Sequence, residues 1–174
     1  ANINLICDNI PILGYAIIYS MGGIKNIDFL IQNGSDTKWK NHEGLTIPFI
    51  ACYNKIDDPN IIKKILNKET INIIEKKGDN LLLKAITSDC DNIAEQILTD
   101  YYDIIDINYI RNYAAIHLIA MKDKIYLLQK ILLIDKLNLD ILTGYGETAV
   151  ILSINTLTYS TPEIVGQLIE AGAN

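Results

Sequence analysis

The sequence has few cysteines, a single arginine and no long apolar run, and each scarcity excludes a class of protein. Its three cysteines, Cys7, Cys52 and Cys90, are too few for the disulfide framework of a secreted domain, and such sparse thiols are typical of a reducing compartment. The longest apolar stretch, near residues 10–19, is too short to span a bilayer. A net charge of −6 argues against binding to nucleic-acid phosphates. We therefore expect an intracellular, cytoplasmic protein that binds no nucleic acid and inserts no part of this segment into a membrane.

What the sequence does contain is aliphatic residues in great number. Hydrophobic residues make up 49% of the chain, which is typical of a folded domain rather than a disordered one. Isoleucine accounts for 35 of the 174 residues, and lysine outnumbers arginine by 14 to 1. These biases are typical of an AT-rich coding genome, such as that of a large DNA virus, a protozoan parasite or an intracellular bacterium.

A sequence pattern returns about every 34 residues. Each unit has a turn residue, a position seven places later that is small in most units, and a pair of adjacent aliphatic residues. A period of this length predicts helix pairs stacked in a solenoid rather than a globule around one central core. The turn residues are Asn9, Gly44, Gly78, Asn112 and Gly146; the small positions are Ala16, Ala51, Ala85, Ile119 (the exception in size) and Ser153; the aliphatic pairs begin at Leu30, Ile65, Ile97, Ile131 and Leu168.

Local signals predict a turn, a short helix, a second turn and a longer helix in each unit. Glycine at the turn supplies a positive φ, and asparagine tolerates that conformation best among the other residues. Cys52 follows the small Ala51 and is expected to be a buried hydrophobe. The second helix of the second unit should bury its aliphatic stripe from Ile61 to Leu66. Predicted helix caps are Thr46, Asn80 and Thr148 for first helices, and Asp58 before Pro59 and Thr161 before Pro162 for second helices.

These features resemble the ankyrin repeat, a unit of 33 residues with a turn, a Thr-Pro-Leu-His-x-Ala segment and two antiparallel helices. The resemblance covers the whole chain, although no unit keeps the full tetrad and three carry extra residues between their helices, around residues 21–23, 55–57 and 159–160. His117 falls on the family's structural histidine, which hydrogen-bonds within the turn. The matching segments are Gly44–Ala51, Gly78–Ala85, Asn112–Ile119 and Gly146–Ser153.

The resemblance implies an all-α ankyrin-repeat solenoid of stacked helix-turn-helix units with β-turn fingers. We expect a single domain over residues 1–174 with about five repeats, at 4–36, 37–70, 71–104, 105–138 and 139–174. The chain starts and stops at the same phase of the repeat, and the isoleucines of the first unit predict a stacking face without a polar cap. We therefore expect an internal part of a longer array.

No residue pattern in the chain predicts catalysis, a cofactor or a metal site. His42 is expected to be a solvated residue at a turn tip, and no other histidine, cysteine or carboxylate stands at zinc-ligand spacing from either histidine. The segment Gly144-Tyr145-Gly146 is half of a dinucleotide-binding fingerprint, but it lacks the third glycine and lies at a repeat turn. We read it as turn chemistry.

The resemblance implies a partner-binding surface on the concave side, across the turn tips and the first helices. Aromatic residues exposed there are typical of interface anchors, whereas the alternative is that large tip residues pack against the adjacent tip. The residues placed on this surface are Tyr19, Trp39, Lys40, His42, Glu43, Tyr53, Lys76, Lys77, Asp79, Arg111, Tyr113, Met121, Lys122 and Tyr145.

The leading functional hypothesis is a non-enzymatic protein–protein interaction module whose partner is another protein, a host-cell factor among the candidates. Many arrays of this family in viruses and intracellular microbes capture host factors. The alternative is a scaffold region of a larger enzyme or membrane protein, such as an acyltransferase, kinase or channel, whose activity lies outside this chain. Sequence beyond residue 174 would discriminate between the two.

Overall fold

The computed structural model describes residues 2–19, 23–155 and 162–174, and these residues are mostly helical. A short antiparallel pair, β1 (Ile6–Cys7) and β2 (Ile10–Pro11), precedes ten helices in the described residues. Helix-turn-helix pairs follow one another, which confirms the predicted all-α class. The helices are α1 (Ile12–Ile18), α2 (Ile24–Gln32), α3 (Ile47–Tyr53), α4 (Pro59–Ile65), α5 (Leu81–Thr87), α6 (Asp91–Asp100), α7 (Ala115–Met121), α8 (Ile125–Ile131), α9 (Ala149–Asn155) and α10 (Pro162–Glu170).

The chain divides into two compact units, unit 1 (Ala1–Gln96) and unit 2 (Ile97–Asn174). In unit 1, α1 packs against α2 and α3, α3 packs against α4 and α5, and α2 packs against α4. In unit 2, α7 packs against α8 and α9, and α10 packs against α8 and α9. The first helices α1, α3 and α7 therefore each contact both their own partner and the first helix of the next pair. The single five-repeat domain over 1–174 and its repeat boundaries stay a prediction.

The core positions follow the repeat. The stripe on α4 is buried as predicted, with Ile61 and Ile65 at 0% exposure and Leu66 at 5%. A buried isoleucine contributes about 1.5–3 kcal/mol relative to an exposed one. The small residues Ala51, Ala85 and Ser153 are buried, and so is Cys52, as expected. Not every aliphatic pair is buried at both positions: Leu168 is buried, but Ile169 is 57% exposed on α10. Adjacent helical residues point about 100° apart, so both need not face one core.

The turn before the first helix is closed in the same way in three repeats. In the second repeat the Asn41 N–H donates to the Leu45 carbonyl (3.0 Å) and the Gly44 N–H donates to the Asn41 carbonyl (3.2 Å). Gly44 has a φ of +77°, as the turn requires. The same two bonds join Glu75 with Asp79 and Gly78, and Thr143 with Glu147 and Gly146.

The asparagines at turn positions behave differently from each other. Asn9 adopts the left-handed conformation, with a φ of 63°, as predicted. The prediction is wrong for Asn112, which does not have a positive φ. Its carbonyl instead accepts a hydrogen bond from the N–H of Gly144 in the next turn (3.3 Å), so the fourth turn is tied to its neighbour without a left-handed residue at that position.

Most predicted helix caps are present. The Asn80 carboxamide accepts from the Leu83 N–H (2.9 Å), Asp58 accepts from two N–H groups of α4, and the Thr148 hydroxyl accepts a longer bond from Ile151 (3.4 Å). The prediction is wrong for Thr46, whose buried hydroxyl has no hydrogen-bond partner among the described residues. Proline at residue 48 removes one of the two N–H groups such a hydroxyl could accept from. The predicted cap Thr161 lies outside the described residues, as do parts of the extra segments near residues 21–23 and 159–160.

His117 has the structural role that the resemblance implied. Its Nδ1 accepts from the Ala114 N–H (3.0 Å), which leaves the proton on Nε2 to donate to the Ile141 carbonyl (2.9 Å). The ring is fully buried, and this burial lowers the pKa of His117 from its usual 6.5. The neutral imidazole thus joins the start of α7 to the segment before the next turn.

Side chains of Asn and Asp link each repeat to the next within a unit. In unit 1 the Asn4 carboxamide accepts from the Asp36 N–H (2.8 Å). In unit 2 the Asn108 carboxamide accepts from the Asn138 N–H (2.8 Å), and the Asp140 carboxylate accepts from the Asn174 N–H (2.7 Å). These bonds satisfy backbone donors in the segments that lack helical partners.

We predict that Gly44→Ala destabilises the protein far more than Gly34→Ala. Both glycines have a positive φ, which costs a non-glycine residue about 1–2 kcal/mol. A Cβ on Gly44 would lie 2.6 Å from the Ile74 carbonyl oxygen, whereas one on Gly34 meets nothing within 4 Å. Overpacking adds about 1–3 kcal/mol at Gly44 alone. Urea unfolding of both variants measures the difference; equal losses would contradict the backbone contact between neighbouring turns.

We predict that His117→Ala lowers the free energy of unfolding by about 2–4 kcal/mol, because it leaves a cavity and two unpaired backbone groups. Since the folded pKa is lowered, the unfolded chain takes up a proton first, and stability falls as the pH drops below 6.5 toward the folded pKa. Urea unfolding between about pH 7 and pH 5 should show this loss in the wild type and in His42→Ala, but not in His117→Ala. A wild-type stability that does not fall in this range would refute the neutral buried imidazole.

Candidate functional site

We use the term first-helix face for the exposed side chains of α1, α3, α5, α7 and α9, of the residue directly after each of these helices and of the turns before them, described for each unit separately. Most of the predicted partner-binding residues are on this face and reach solvent. Tyr19, Lys40, His42, Tyr53, Lys76 and Lys77 are exposed in unit 1, as are Arg111, Lys122 and Tyr145 in unit 2, while Glu43, Asp79, Tyr113 and Met121 are half-buried.

Trp39 does not belong to this face. Its indole is only 8% exposed, so the prediction of an exposed tryptophan at a turn tip is wrong. The backbone here is extended, and the next residue, Lys40, bridges Thr46 in a β-bridge. Side chains alternate in extended backbone, so exposed Lys40 and buried Trp39 point in opposite directions.

A cavity of about 320 Å³ opens on the first-helix face of unit 1. We call it the Tyr53 cavity. Aliphatic side chains from α1, from the second turn and from α3 form one part of its lining, and polar side chains of two consecutive turns form the other. The lining residues are Ile10, Ile18, Leu45, Ile50, Tyr53, Asn54, Glu43, Glu75, Lys76 and Lys77.

The polar wall of the cavity is organised by Tyr53 and Glu75. The Tyr53 hydroxyl donates to the Glu75 carboxylate, with its oxygen 2.7 and 2.8 Å from the two carboxylate oxygens. Glu75 is 6% exposed, whereas Tyr53 is 37% exposed. A buried carboxylate requires such a donor because an unpaired charge is costly to remove from water. The pair therefore holds the Tyr53 ring in a defined position at the edge of the cavity.

Two lysines lie against the Tyr53 ring. The Lys84 ammonium is 3.7 Å from the ring centre and the Lys77 ammonium is 4.7 Å from it, both within the range of a cation–π interaction. Within residues 2–19, 23–155 and 162–174, neither ammonium forms an ion pair with a carboxylate. Two positive charges thus lie against the Tyr53 ring.

The other lysine that lines the cavity, Lys76, is neutralised by a neighbouring turn. Lys76 forms an ion pair with Glu43, and its backbone N–H donates to the Glu43 carbonyl (2.8 Å). The hydrogen bond and the charge of Lys76 lower the pKa of the Glu43 carboxyl. An open depression of about 800 Å³ continues past this pair along the turns, where Lys40 and His42 line it.

In unit 2 the two predicted tyrosines, Tyr113 and Tyr145, have different surroundings. The Tyr113 ring meets the buried His117 ring edge-on, with the ring centres 6.4 Å apart. Tyr145 is 76% exposed at the tip of a turn that the Thr143 hydroxyl closes, by accepting from the N–H groups of Tyr145 and Glu147 (3.2 Å each). Tyr145 is thus an exposed aromatic on a firmly built turn.

The sequence analysis missed Glu75, Lys84 and the aliphatic part of the cavity. The repeat does contain a signal for Glu75, because residues 41, 75 and 143 occupy the same position in their repeats and are separated by multiples of 34 residues. Asn41, like Thr143, uses its side chain to close its own turn, by accepting from the Glu43 and Leu45 N–H groups (2.9 Å each). Glu75 breaks this rule and directs its carboxylate to Tyr53 of the preceding repeat. A charged residue at this turn-closing position of the repeat is therefore the sequence signal for the candidate site.

Across the described ranges, no group of three or more His, Cys, Asp and Glu side chains could hold a metal ion. None of the described helices combines the length and apolarity that crossing a bilayer requires.

Comparison with known proteins establishes the fold. No family model and no curated protein matches the sequence. One similar structure is a chain of the complex between the predatory endopeptidase Bd0816 from Bdellovibrio bacteriovorus and the immunity protein Bd3460, with a TM-score of 0.71 and 23% identity over 93% of this chain and 81% of that one. Another is the ankyrin repeat domain of Bcl-3, an IkappaB family protein, with a TM-score of 0.67 and 16% identity over 95% of this chain and 71% of that one. The chain therefore has the ankyrin-repeat fold, as the sequence resemblance implied.

We predict that Tyr53→Phe lowers the free energy of unfolding by about 1–2 kcal/mol. The Glu75 carboxylate loses its hydrogen-bond donor, and because it is buried, water replaces the lost hydroxyl only in part. Tyr19→Phe is the matched control, since Tyr19 is 70% exposed and its loss of a hydroxyl should change stability by less than about 0.5 kcal/mol. Urea unfolding of the two variants measures both values. Indistinguishable effects would argue against a structural hydrogen bond at Glu75.

Proposed function

We propose that this chain, which has the ankyrin-repeat fold, is a non-enzymatic protein–protein interaction module that binds a partner protein on its first-helix face. The observation that carries the proposal is the Tyr53 cavity in unit 1, where an aromatic ring is fixed by a buried carboxylate at the edge of an apolar recess. Tyrosine is enriched among the residues that dominate interface energies, and such residues act from well-packed positions.

The fixed geometry of the cavity favours binding. A side chain that is already held in place loses little conformational entropy when a partner binds, so more of the contact energy appears as affinity. Tyr53 is held through its hydroxyl and its ring face at once. The similar structure from Bdellovibrio bacteriovorus belongs to a complex between two proteins, which is compatible with this role.

We extend the proposal to the setting of the protein. The thiols of Cys52 and Cys90 are both buried and free, and Cys7 is exposed and free, which supports an intracellular, reducing compartment. The biased composition supports a microbial or viral source whose partner is a host-cell factor in the host cytoplasm. The net charge of −6 supports a protein partner over a nucleic acid.

The test uses matched aromatic substitutions on the two sides of the helix pairs. A partner captured from the extract of the source or host cell is purified, and its Kd is measured by calorimetry against each variant. We predict that Tyr53→Ala or Tyr145→Ala weakens binding about tenfold or more, as removal of an interface anchor does. Phe29→Ala, which removes a 63% exposed aromatic from the second helix α2, should leave the Kd unchanged.

Circular dichroism and urea unfolding confirm that each variant is folded under the binding conditions. Trp39→Ala is unsuitable as a binding probe because Trp39 is buried. A partner that is lost on Phe29→Ala but retained by both tyrosine variants would overturn the choice of the first-helix face.

A further inference from the structure

We propose that the Tyr53 cavity binds a segment of the partner in which an aliphatic side chain stands next to an acidic one. This inference rests on the proposed function and specifies the chemistry of the partner. Two features carry it: the aliphatic recess of the cavity, and two lysine ammonium groups that lie against the Tyr53 ring at its edge and have no ion-pair partner in the described ranges.

The recess has the size and lining for one aliphatic side chain. Its volume of about 320 Å³ is at the lower end of ligand pockets, which measure roughly 300–1,000 Å³. Ile50 is buried at its base, while Ile10 and Ile18 are half-buried and keep part of their apolar surface in contact with water. An aliphatic side chain from a partner would remove that surface from water, and each buried methylene group contributes favourably to binding.

The adjoining charge selects an acidic neighbour. Lys77 lines the cavity, and Lys77 and Lys84 each place an ammonium group within 5 Å of the Tyr53 ring centre. A carboxylate beside the ring would form charge-assisted hydrogen bonds with such an ammonium group. Lys76 is not available for this role because Glu43 already neutralises it.

The one buried carboxylate of the cavity does not reverse this preference. Glu75 is 6% exposed and engaged by the Tyr53 hydroxyl, so a basic side chain would have to displace that bond to pair with it. The net charge of the chain, −6, opposes an acidic partner only weakly at contact, since salt screens charges beyond roughly 8 Å in physiological buffer. Local charge therefore decides the selectivity, and we expect no long-range electrostatic steering.

The experiment uses three fluorescein-labelled pools of short synthetic peptides that are otherwise built from small polar residues. The first pool carries a leucine flanked by aspartates, the second a leucine flanked by lysines, and the third a serine flanked by aspartates. Fluorescence anisotropy with the full chain should give a Kd for the first pool about tenfold lower than for the other two. Failure of the first pool to bind, or equal or tighter binding of the lysine pool, overturns the inference.

Charge variants test the two lysines directly. The double variant Lys77→Gln with Lys84→Gln should weaken binding of the leucine–aspartate pool about tenfold. The variant with glutamate at both positions should reverse the preference toward the lysine pool. The control, Lys63→Gln with Lys68→Gln, makes the same charge change at two exposed lysines of unit 1 that do not line the cavity, and should leave binding unchanged. Unchanged binding of the first pool to the cavity variants also overturns the inference.

A separate selection distinguishes this inference from the proposed function. Random peptides displayed on phage are selected on the immobilised chain and their binding is then measured with the variants. Ligands that lose affinity on Tyr53→Ala but are not acidic, or ignore the Lys77 and Lys84 variants, refute the inference while the proposed function stands. Ligands that lose affinity only on Phe29→Ala contradict both.

Discussion

Contact between successive helix pairs is the interaction on which the rest of the structure depends. Helices such as α1, α3 and α5 have seven residues each, and helices shorter than about 12–15 residues are marginal in water by themselves. Each becomes stable by burying its aliphatic face against neighbouring helices: α1 packs against α2 and α3, and α3 packs against α4 and α5. Hydrogen bonds that the side chains of Asn4, Asn108 and Asp140 accept from backbone N–H groups of the following repeat add a polar link at a fixed spacing. Each compact unit is therefore a chain of neighbouring contacts, without one central core.

The candidate site is a product of the same stacking. Tyr53 ends the first helix of one repeat, while Glu75 and Lys77 belong to the turn of the next, so the bond between Tyr53 and Glu75 forms only when the two repeats are stacked. The substitution that creates the site is small. The side chain at a turn-closing position bonds across the repeat boundary instead of within its own turn, and the aromatic ring becomes fixed as a result. The hydrogen bond between Tyr53 and Glu75 thus both joins two repeats and positions the ring that we propose contacts the partner.

Features that depend on neighbours in sequence were predictable. The cap at Asn80, the proline-preceded cap at Asp58 and the buried stripe of α4 all follow from residues within one or two helical turns. The bond from the Ala114 N–H to His117 was accessible through the resemblance, because it is also local. Thr46 shows the limit of such reasoning: the residue type favours a cap, but the proline two positions later removes a donor. Trp39 shows another, since an aromatic residue beside a turn can point to either side of an extended segment.

The sequence by itself determined the period, the helix pairs, most caps and the list of residues near the turns, because short-range backbone preferences and helical periodicity encode these features. Only the tertiary structure decided that Trp39 is buried, that Glu75 turns toward Tyr53 and that Lys77 and Lys84 converge on one ring. Those outcomes join residues from different repeats or depend on what packs beside them. Their distances are set by how the helix pairs stack, and no local pattern records that geometry.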